Sequence, residues 1–335
     1  MKIGIHDTKG LFSDRWIIYC KANGISYKLV DCYRNDIVQQ LSDCDALMWH
    51  FNHKSPKDSK FALQLLYAVQ AVGKKVFPDF NTVWHFDDKV AQKYLLEGIK
   101  APLAPSYVFY YRKDALDWAK MTSYPKVFKL RNGAGSDNVR LVKSKKAARG
   151  LISRAFGGGF KQYDGWGNLK ERFRLYRLGK TNLGDLIKGF IRLFYTTEYS
   201  KVTGRERGYI YFQDFIPGNN YDIRVIVVGI KAFAIKRMVR EKDFRASGSG
   251  CILYEKEHFD DETILIAFEI TEKLKAQCLA FDFVYLDGKP LIVEISYGFA
   301  KEGYDRCTGY WDKDLSWHEG HFNPYGWMVD LITKM

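Results

Sequence analysis

Two carboxylates interrupt an apolar run near the C-terminus. Asp282 and Glu294 lie in Phe281-Asp282-Phe283-Val284-Tyr285-Leu286-Asp287-Gly288-Lys289-Pro290-Leu291-Ile292-Val293-Glu294-Ile295-Ser296. The run reads as two strands joined by a tight Asp-Gly turn, so hairpin pairing sets the two acids side by side. Carboxylates that close repel each other unless a positive charge lies between them. A hard cation such as Mg²⁺ is held by one or two carboxylates together with substrate phosphates. The segment therefore predicts half of a metal–nucleotide site. A surface hairpin carrying two solvated acids is the plainer alternative.

Three further segments carry candidate chemistry. Lys126-Val127-Phe128-Lys129-Leu130 followed by Arg131-Asn132-Gly133-Ala134-Gly135-Ser136-Asp137-Asn138 places Lys129 at the end of a buried strand, before a glycine-rich loop. Glycines let backbone N–H groups approach phosphate oxygens, and the lysine supplies a point charge; a plain hairpin turn is the alternative. Tyr211-Phe212-Gln213-Asp214-Phe215-Ile216-Pro217-Gly218 ends a strand and turns, and Asp222 and Arg224 follow as an Asp-x-Arg pair. That turn could line an adenine slot with backbone amides, or the pair could be an ordinary surface ion pair. Lys236, Arg237, Arg240 and Arg245 precede Ser247-Gly248-Ser249-Gly250 and suit phosphate or carboxylate binding. A solvated basic strand edge is the alternative there. His318-Glu319-Gly320-His321 is one residue short of the helical His-Glu-x-x-His zinc motif, so a metalloprotease is rejected.

Taken in order, these segments resemble the ATP-grasp superfamily, and most closely its RimK-like and glutathione-synthetase-like ligases. The resemblance covers roughly residues 87–297. It implies an ATP-grasp fold with an N-terminal Rossmann-like pre-grasp domain, and an ATP- and Mg²⁺-dependent ligase that joins a carboxylate to an amine through an acyl phosphate. By the same resemblance Lys89 and Lys129 would contact the ATP phosphates, with Gly133, Gly135 and Ser136 in the loop that closes over them. Gln213, Asp214 and Ile216 would line the adenine pocket. Asp282 and Glu294 would hold Mg²⁺, and Arg224, Lys236, Arg237 and Arg245 would serve the γ-phosphate and the acceptor carboxylate. Two positions depart from the family pattern. Ser296 stands where the third metal ligand is usually Asn, and Gln213 stands where the adenine-facing residue is often Glu. The insertion and the aromatic tail Tyr310-Trp311-Asp312 to Trp317-His318-Glu319 are further similar to ATP-grasp proteins of bacterial surface-polysaccharide biosynthesis. An ATP-grasp kinase and a non-catalytic nucleotide- or polyanion-binding protein are the rival readings.

The elements that must position these residues follow from hydrophobic periodicity. Short apolar strands alternate with amphipathic helices up to about Phe80, which predicts a parallel sheet. Its strands are expected at Lys2–Ile5, Tyr27–Val30, Ala46–His50 and Lys75–Phe77, its helices at Asp14–Ala22 and Phe61–Val72. No Gly-x-Gly-x-x-Gly fingerprint follows the first strand, so a dinucleotide is not suggested. The remainder mixes helices with antiparallel strands, giving α/β plus α+β. The units read as 1–84 (pre-grasp), 85–150 (central grasp), 151–208 (basic helical insertion) and 209–335 (second grasp part with the metal site).

Composition narrows the class. The 335 residues carry a formal charge of +13, which favours an anionic partner. Residues 151–208 hold 12 Lys/Arg against 5 Asp/Glu and so supply more than half of that excess. Two readings of this insertion stand. The preferred one is a helical hairpin packed on the grasp unit with its basic face solvated; the other is an amphipathic pair lying on an anionic membrane surface. No nucleic-acid-binding motif accompanies the charge, so no nucleic-acid partner is expected. Six scattered cysteines and the absence of a signal-peptide pattern suggest a cytoplasmic protein, with the insertion as its one route to a peripheral contact at the inner membrane surface.

Overall fold

The computed structural model describes residues 1–52, 55–133, 138–161, 165–177, 181–194, 202, 204–240, 243–246, 248 and 250–334. The first unit alternates strand and helix: β1 (Ile3–His6), α1 (Phe12–Ala22), β2 (Tyr27–Val30), α2 (Ile37–Gln40), β3 (Ala46–Met48), α3 (Pro56–Ala71), β4 (Lys75–Phe77) and α4 (Phe80–Val83). Its four strands are parallel in the order β2-β1-β3-β4. Every β1 and β3 side chain is buried, as a parallel sheet covered on both faces requires. Helix α3 begins five residues before the predicted start. Ser55 caps it by accepting from Asp58 N, and Pro56 fits the first turn, where no N–H is needed.

The central unit follows with α5 (Lys89–Gly98), β5 (Ser106–Phe109), α6 (Arg112–Met121), β6 (Lys126–Lys129), β7 (Arg140–Val142) and α7 (Lys145–Ala155). The chain then leaves through β8 (Phe160–Lys161), forms the hairpin α8 (Gly165–Arg177) and α9 (Leu183–Phe194), and returns through β9 (Arg205–Glu206), which pairs with β8 to close the neck. Helices α8 and α9 pack chiefly on each other. The next strand, β10 (Ile210–Asp214), inserts between β5 and β6, so the central antiparallel sheet runs β5-β10-β6-β7 and draws one strand from beyond the insertion.

The last unit is an antiparallel sheet of β11 (Tyr221–Val228), β12 (Lys231–Met238), β13 (Ile252–Leu253), β14 (Cys278–Leu286), β15 (Lys289–Ser296), β16 (Gly309–Asp312) and β17 (Trp317–Glu319). Its order is β15-β14-β11-β12-β16-β17, with β13 added on β12. Helix α10 (Asp261–Lys273) covers one face, and α11 (Pro324–Thr333) packs back on α1 of the first unit. One apolar core runs through both end units, uniting Phe12 and Trp16 with Ile226, Phe233, Met328 and Val329. The central unit has its own core around Phe128, Phe160 and Phe212. Trp311 is buried and the half-buried Tyr310 and Trp317 pack against the cores, so these tail aromatics fill space. Among the described residues no helix is long and apolar enough to cross a membrane, and the six cysteines form no disulfide.

Candidate active site

The carboxylate hairpin forms as β14 and β15. Its turn residues Asp287 (φ 51°) and Gly288 (φ 78°) both take positive φ, the backbone that matches strand twist in two-residue hairpins. Asp282 and Glu294 are direct cross-strand partners. The register slips immediately afterwards, because Phe283 pairs with Ile292 and leaves Val293 as an extra residue. That bulge takes the Val293 carbonyl out of the ladder. It accepts instead from Lys129 Nζ at 3.1 Å and from Gln213 Nε2 at 3.4 Å.

Lys129, at the end of β6, therefore enters the site from the sheet opposite. Its ammonium also donates to Gln213 Oε1 at 2.8 Å. Gln213 is fixed in turn by donating to Ser106 Oγ at 3.0 Å. Burial drives the Lys129 pKa down to about 8; Glu294 and Asp282 oppose that and Lys89 adds to it. Lys89 opens α5, whose N-cap Asp88 accepts from Val90 and Ala91 N–H groups. Its Nζ lies 3.2 Å from Glu294 Oε1 and donates to the Gly133 carbonyl at 2.8 Å. Burial would lower its pKa, but Glu294 and Asp87 outweigh that and hold it near about 12. Asp87 accepts from Gly133 N at 3.0 Å. The first glycine of the loop is thus clamped from both sides by the Asp87–Lys89 segment.

Arginines surround the other acid. Arg237 Nη2 lies 2.9 Å and Arg224 Nη1 3.3 Å from Asp282 Oδ1. Arg237 also forks onto Asp222 at 2.6 and 2.8 Å. Burial alone would raise the Asp282 pKa; Arg224 and Arg237 overcome it and keep the group below the usual carboxylate range. Asp282 Oδ1 is buried yet accepts no well-aligned hydrogen bond. Two facing carboxylates, Asp282 held ionised by the arginines and Glu294 partly exposed beside Lys89, fit a hard divalent cation. Among the described residues no third His, Cys, Asp or Glu joins them.

These groups line one cavity of about 610 Å³, within the range of small-molecule sites. Its lining mixes the charged groups with Val127, Ile216, Val239, Phe244 and Val284, apolar surface that suits a planar base. Asn219 braces the turn after β10 against the hairpin, donating to the Tyr285 carbonyl at 2.9 Å and accepting from Tyr285 N at 2.7 Å. Asp214 holds Lys126 Nζ at 2.5 Å, while its own N–H goes to the Pro105 carbonyl, so that amide is spent on the sheet.

Of the residues singled out from sequence, Lys89, Lys129, Gly133, Gln213, Asp214, Ile216, Arg224, Arg237, Arg245, Asp282, Glu294 and Ser296 all line this cavity. Gly135 and Ser136 lie outside the described residues. Arg245 is held by Asp243 through Nη2–Oδ2 at 2.6 Å. Ser296 both donates to the Gly298 carbonyl and accepts from Gly298 N, each at 3.1 Å, so its hydroxyl closes a turn. Lys236 does not line the cavity: it pairs in register with Ile223, on the strand face opposite Arg237, and its ammonium sits 3.8 Å from the ring centre of Tyr221, which does line it. His318, on β17, sits 2.6 Å from Asp312 of β16, and neither lines the cavity. Asp87, Asn219 and the Val293 carbonyl escaped the sequence reading. Only Asp87, beside Lys89, carries a type-and-position signal that could have found it.

Comparison with known proteins agrees with this geometry. Residues 197–311 match the model of the RimK-like ATP-grasp domain. A RimK domain ATP-grasp protein from Sphaerobacter thermophilus superposes over 100% of both chains, with TM-score 0.56 and 14% identity. D-alanine–D-alanine ligase from Bacillus anthracis, complexed with ATP, covers 100% of this chain and 96% of its own, with TM-score 0.57 and 11% identity. The biotin carboxylase domain of Hydrogenobacter thermophilus 2-oxoglutarate carboxylase, solved with MgADP and bicarbonate, covers 100% of this chain and 70% of its own, with TM-score 0.61 and 12% identity. No curated protein sequence matches the chain. The fold is ATP-grasp, with residues 197–311 similar to the RimK-like ATP-grasp domain.

Proposed function

We propose that this protein is an ATP- and Mg²⁺-dependent ligase that joins a carboxylate to an amine and releases ADP. The observation that carries the reading is the cross-strand pair Asp282 and Glu294 facing Lys89 and Lys129 in a single cavity. The similar structures solved with ATP or MgADP support it.

The chemistry needs no protein nucleophile. A substrate carboxylate oxygen attacks the γ-phosphorus, the β,γ-bridging P–O bond breaks, and ADP leaves. The amine nitrogen then attacks the acyl carbon, the C–O bond to phosphate breaks, and the nitrogen gives up a proton as phosphate departs. Lys89 and Lys129 would offset phosphate charge, and Arg224 and Arg237 would hold anionic oxygen in the same dry site. Asp282 and Glu294 would hold Mg²⁺, which when bound neutralises charge on the transferring phosphoryl group. The narrower form, in which the carboxylate belongs to a surface-polysaccharide precursor, draws support from the basic insertion and the arginine-rich end of the cavity. The space-filling role of the tail aromatics lends it none.

A thermal-shift titration with Mg²⁺-ADP and a non-hydrolysable ATP analogue tests the site. At a hundredfold excess over Kd a native-state ligand adds about 2.7 kcal/mol. The shift is expected in wild type, to depend on Mg²⁺, and to vanish in Glu294→Ala. ADP release should then depend on both an acid and an amine, and Asp282→Ala should abolish it without unfolding the chain. Phosphoryl transfer without amine dependence would mark a kinase, and binding without turnover a nucleotide-binding protein.

A further inference from the structure

The described residues of the α8–α9 hairpin contribute nothing to the cavity, yet they carry a concentrated apolar surface. On α9, Leu183, Leu186, Ile187, Phe190 and Ile191 recur at the spacing of one helix face. Leu183, Ile187, Phe190 and Ile191 are 56%, 53%, 55% and 48% exposed, and Phe173 and Tyr176 of α8 are 51% and 41% exposed. Leu169, Phe173, Leu186, Ile187 and Phe190 line an apolar groove of about 530 Å³ between the helices, with Lys170 at its edge. A soluble protein rarely leaves so many large apolar side chains together at its surface without an interaction to serve.

The hairpin is built to hold this face outward. Gly189 lets the helices approach: a Cβ there would meet Arg172 Cδ at 2.6 Å and Leu169 Cδ1 at 3.3 Å. Arg172 reaches across to donate to the Asp185 carbonyl at 2.9 Å, and Thr181 Oγ1 donates to the Asp185 carboxylate at 2.8 Å. Lys188 lies 3.6 Å from the same acid. Asp185 is thereby neutralised inside the hairpin. Residues 165–194 hold 7 Lys/Arg against 2 Asp/Glu, and Lys170, Arg177 and Lys188 are exposed.

We propose that the α8–α9 hairpin docks this protein on an anionic membrane surface, inserting the apolar side chains of Phe173, Ile187, Phe190 and Ile191 among lipid acyl chains while its lysines and arginines meet the headgroups. Charge decides for lipid over a second copy of the chain, because two such hairpins would bring two strongly cationic segments together. Exposed apolar residues bordered by Lys and Arg on short helices are what an interfacial, non-spanning anchor requires. The inference stands apart from the catalytic reading, since none of the described hairpin residues lines the cavity.

The test is flotation of the full chain with vesicles of phosphatidylcholine alone or with 30% phosphatidylglycerol. Variants Ile187→Glu/Phe190→Glu and Lys170→Glu/Arg177→Glu are compared with wild type. The expected result is binding to the anionic vesicles only, at least tenfold weaker in either variant and weakened by raised salt. Both variants replace exposed side chains, so melting temperature and the Mg²⁺-ADP shift should remain those of wild type. No binding to anionic vesicles, or binding untouched by both variants, overturns the proposal. So does a wild-type dimer by light scattering that Ile187→Glu/Phe190→Glu converts to monomer, because the apolar face would then cover a second copy.

Discussion

Lys129 sits in a contradiction that only a ligand resolves. Its ammonium is buried against an amide oxygen and a backbone carbonyl, and burial holds its pKa at about 8 against 10.5 for a free lysine. Between those values the unfolded chain binds more protons than the folded one, so stability rises with pH across that window. Below pH 8 the full cost is present, on the order of 3 kcal/mol. Lys129→Met should therefore raise the melting temperature at pH 7, the gain should shrink by pH 9.5, and the nucleotide shift should be lost; a Met variant that melts lower at pH 7 would contradict the argument. An anionic phosphate would also return the proton. Binding of Mg²⁺-ADP should weaken as pH rises through 8 to 9, with proton uptake visible as a buffer-dependent binding enthalpy. At this scale Lys129, Asp282 and Glu294 were legible because a charge inside an apolar strand needs a partner. Which of Lys236 and Arg237 faces the cavity was not legible, because neighbours on a strand face opposite ways and parity is set only when the partner register is known. The Val293 carbonyl was illegible because a bulge depends on the partner strand rather than on residue type.

Among elements, the joint between the β10 turn and the hairpin rests on Asn219. Its amide makes both a donor and an acceptor bond to the Tyr285 backbone, as a strand neighbour would, and also reaches the Ile216 carbonyl at 3.3 Å. Asn219→Ala leaves the Tyr285 N–H and C=O without these partners and should cost about 1–3 kcal/mol. Because Ile216 and Val284 both line the cavity, nucleotide affinity should fall as well, read by titration at a temperature where the variant is fully folded. Unchanged affinity alongside the lost stability would show that the joint does not shape the base slot. The individual elements were readable: the strands of the first unit follow the apolar runs closely, and Asp-Gly marked the hairpin turn. The placement of β10 between β5 and β6 was not, because that pairing crosses the whole insertion and depends on long-range packing rather than local periodicity.

Across the whole molecule the cores do not follow the chain order. The first unit and the last sheet share one core, closed by α11 on α1, whereas the central unit packs around separate aromatics. Between them lies a cavity crossed by charged contacts such as Lys89–Glu294, while apolar packing joins them along α5 and the segment after it, where Leu96 and Leu103 pack into the last sheet's core. Cooperativity follows shared burial, so the ligand-free protein should unfold in two calorimetric transitions, one for the shared core and one for the central unit. Gly326 offers a way to separate them. It faces the Tyr19 ring, and a Cβ there would lie 2.5 Å from Tyr19 Cε2, so Gly326→Val wedges α11 from α1. Overpacking of this kind costs about 1–3 kcal/mol and should lower the shared-core transition by several degrees while leaving the central one in place. On the proposed function, Mg²⁺-ADP bound across the cavity would contact both sides and should raise both transitions and draw them together. A single transition in the free protein with matching calorimetric and van't Hoff enthalpies, moved as a whole by Gly326→Val, would instead mean that the ion pairs across the cavity already couple the two cores before any ligand arrives.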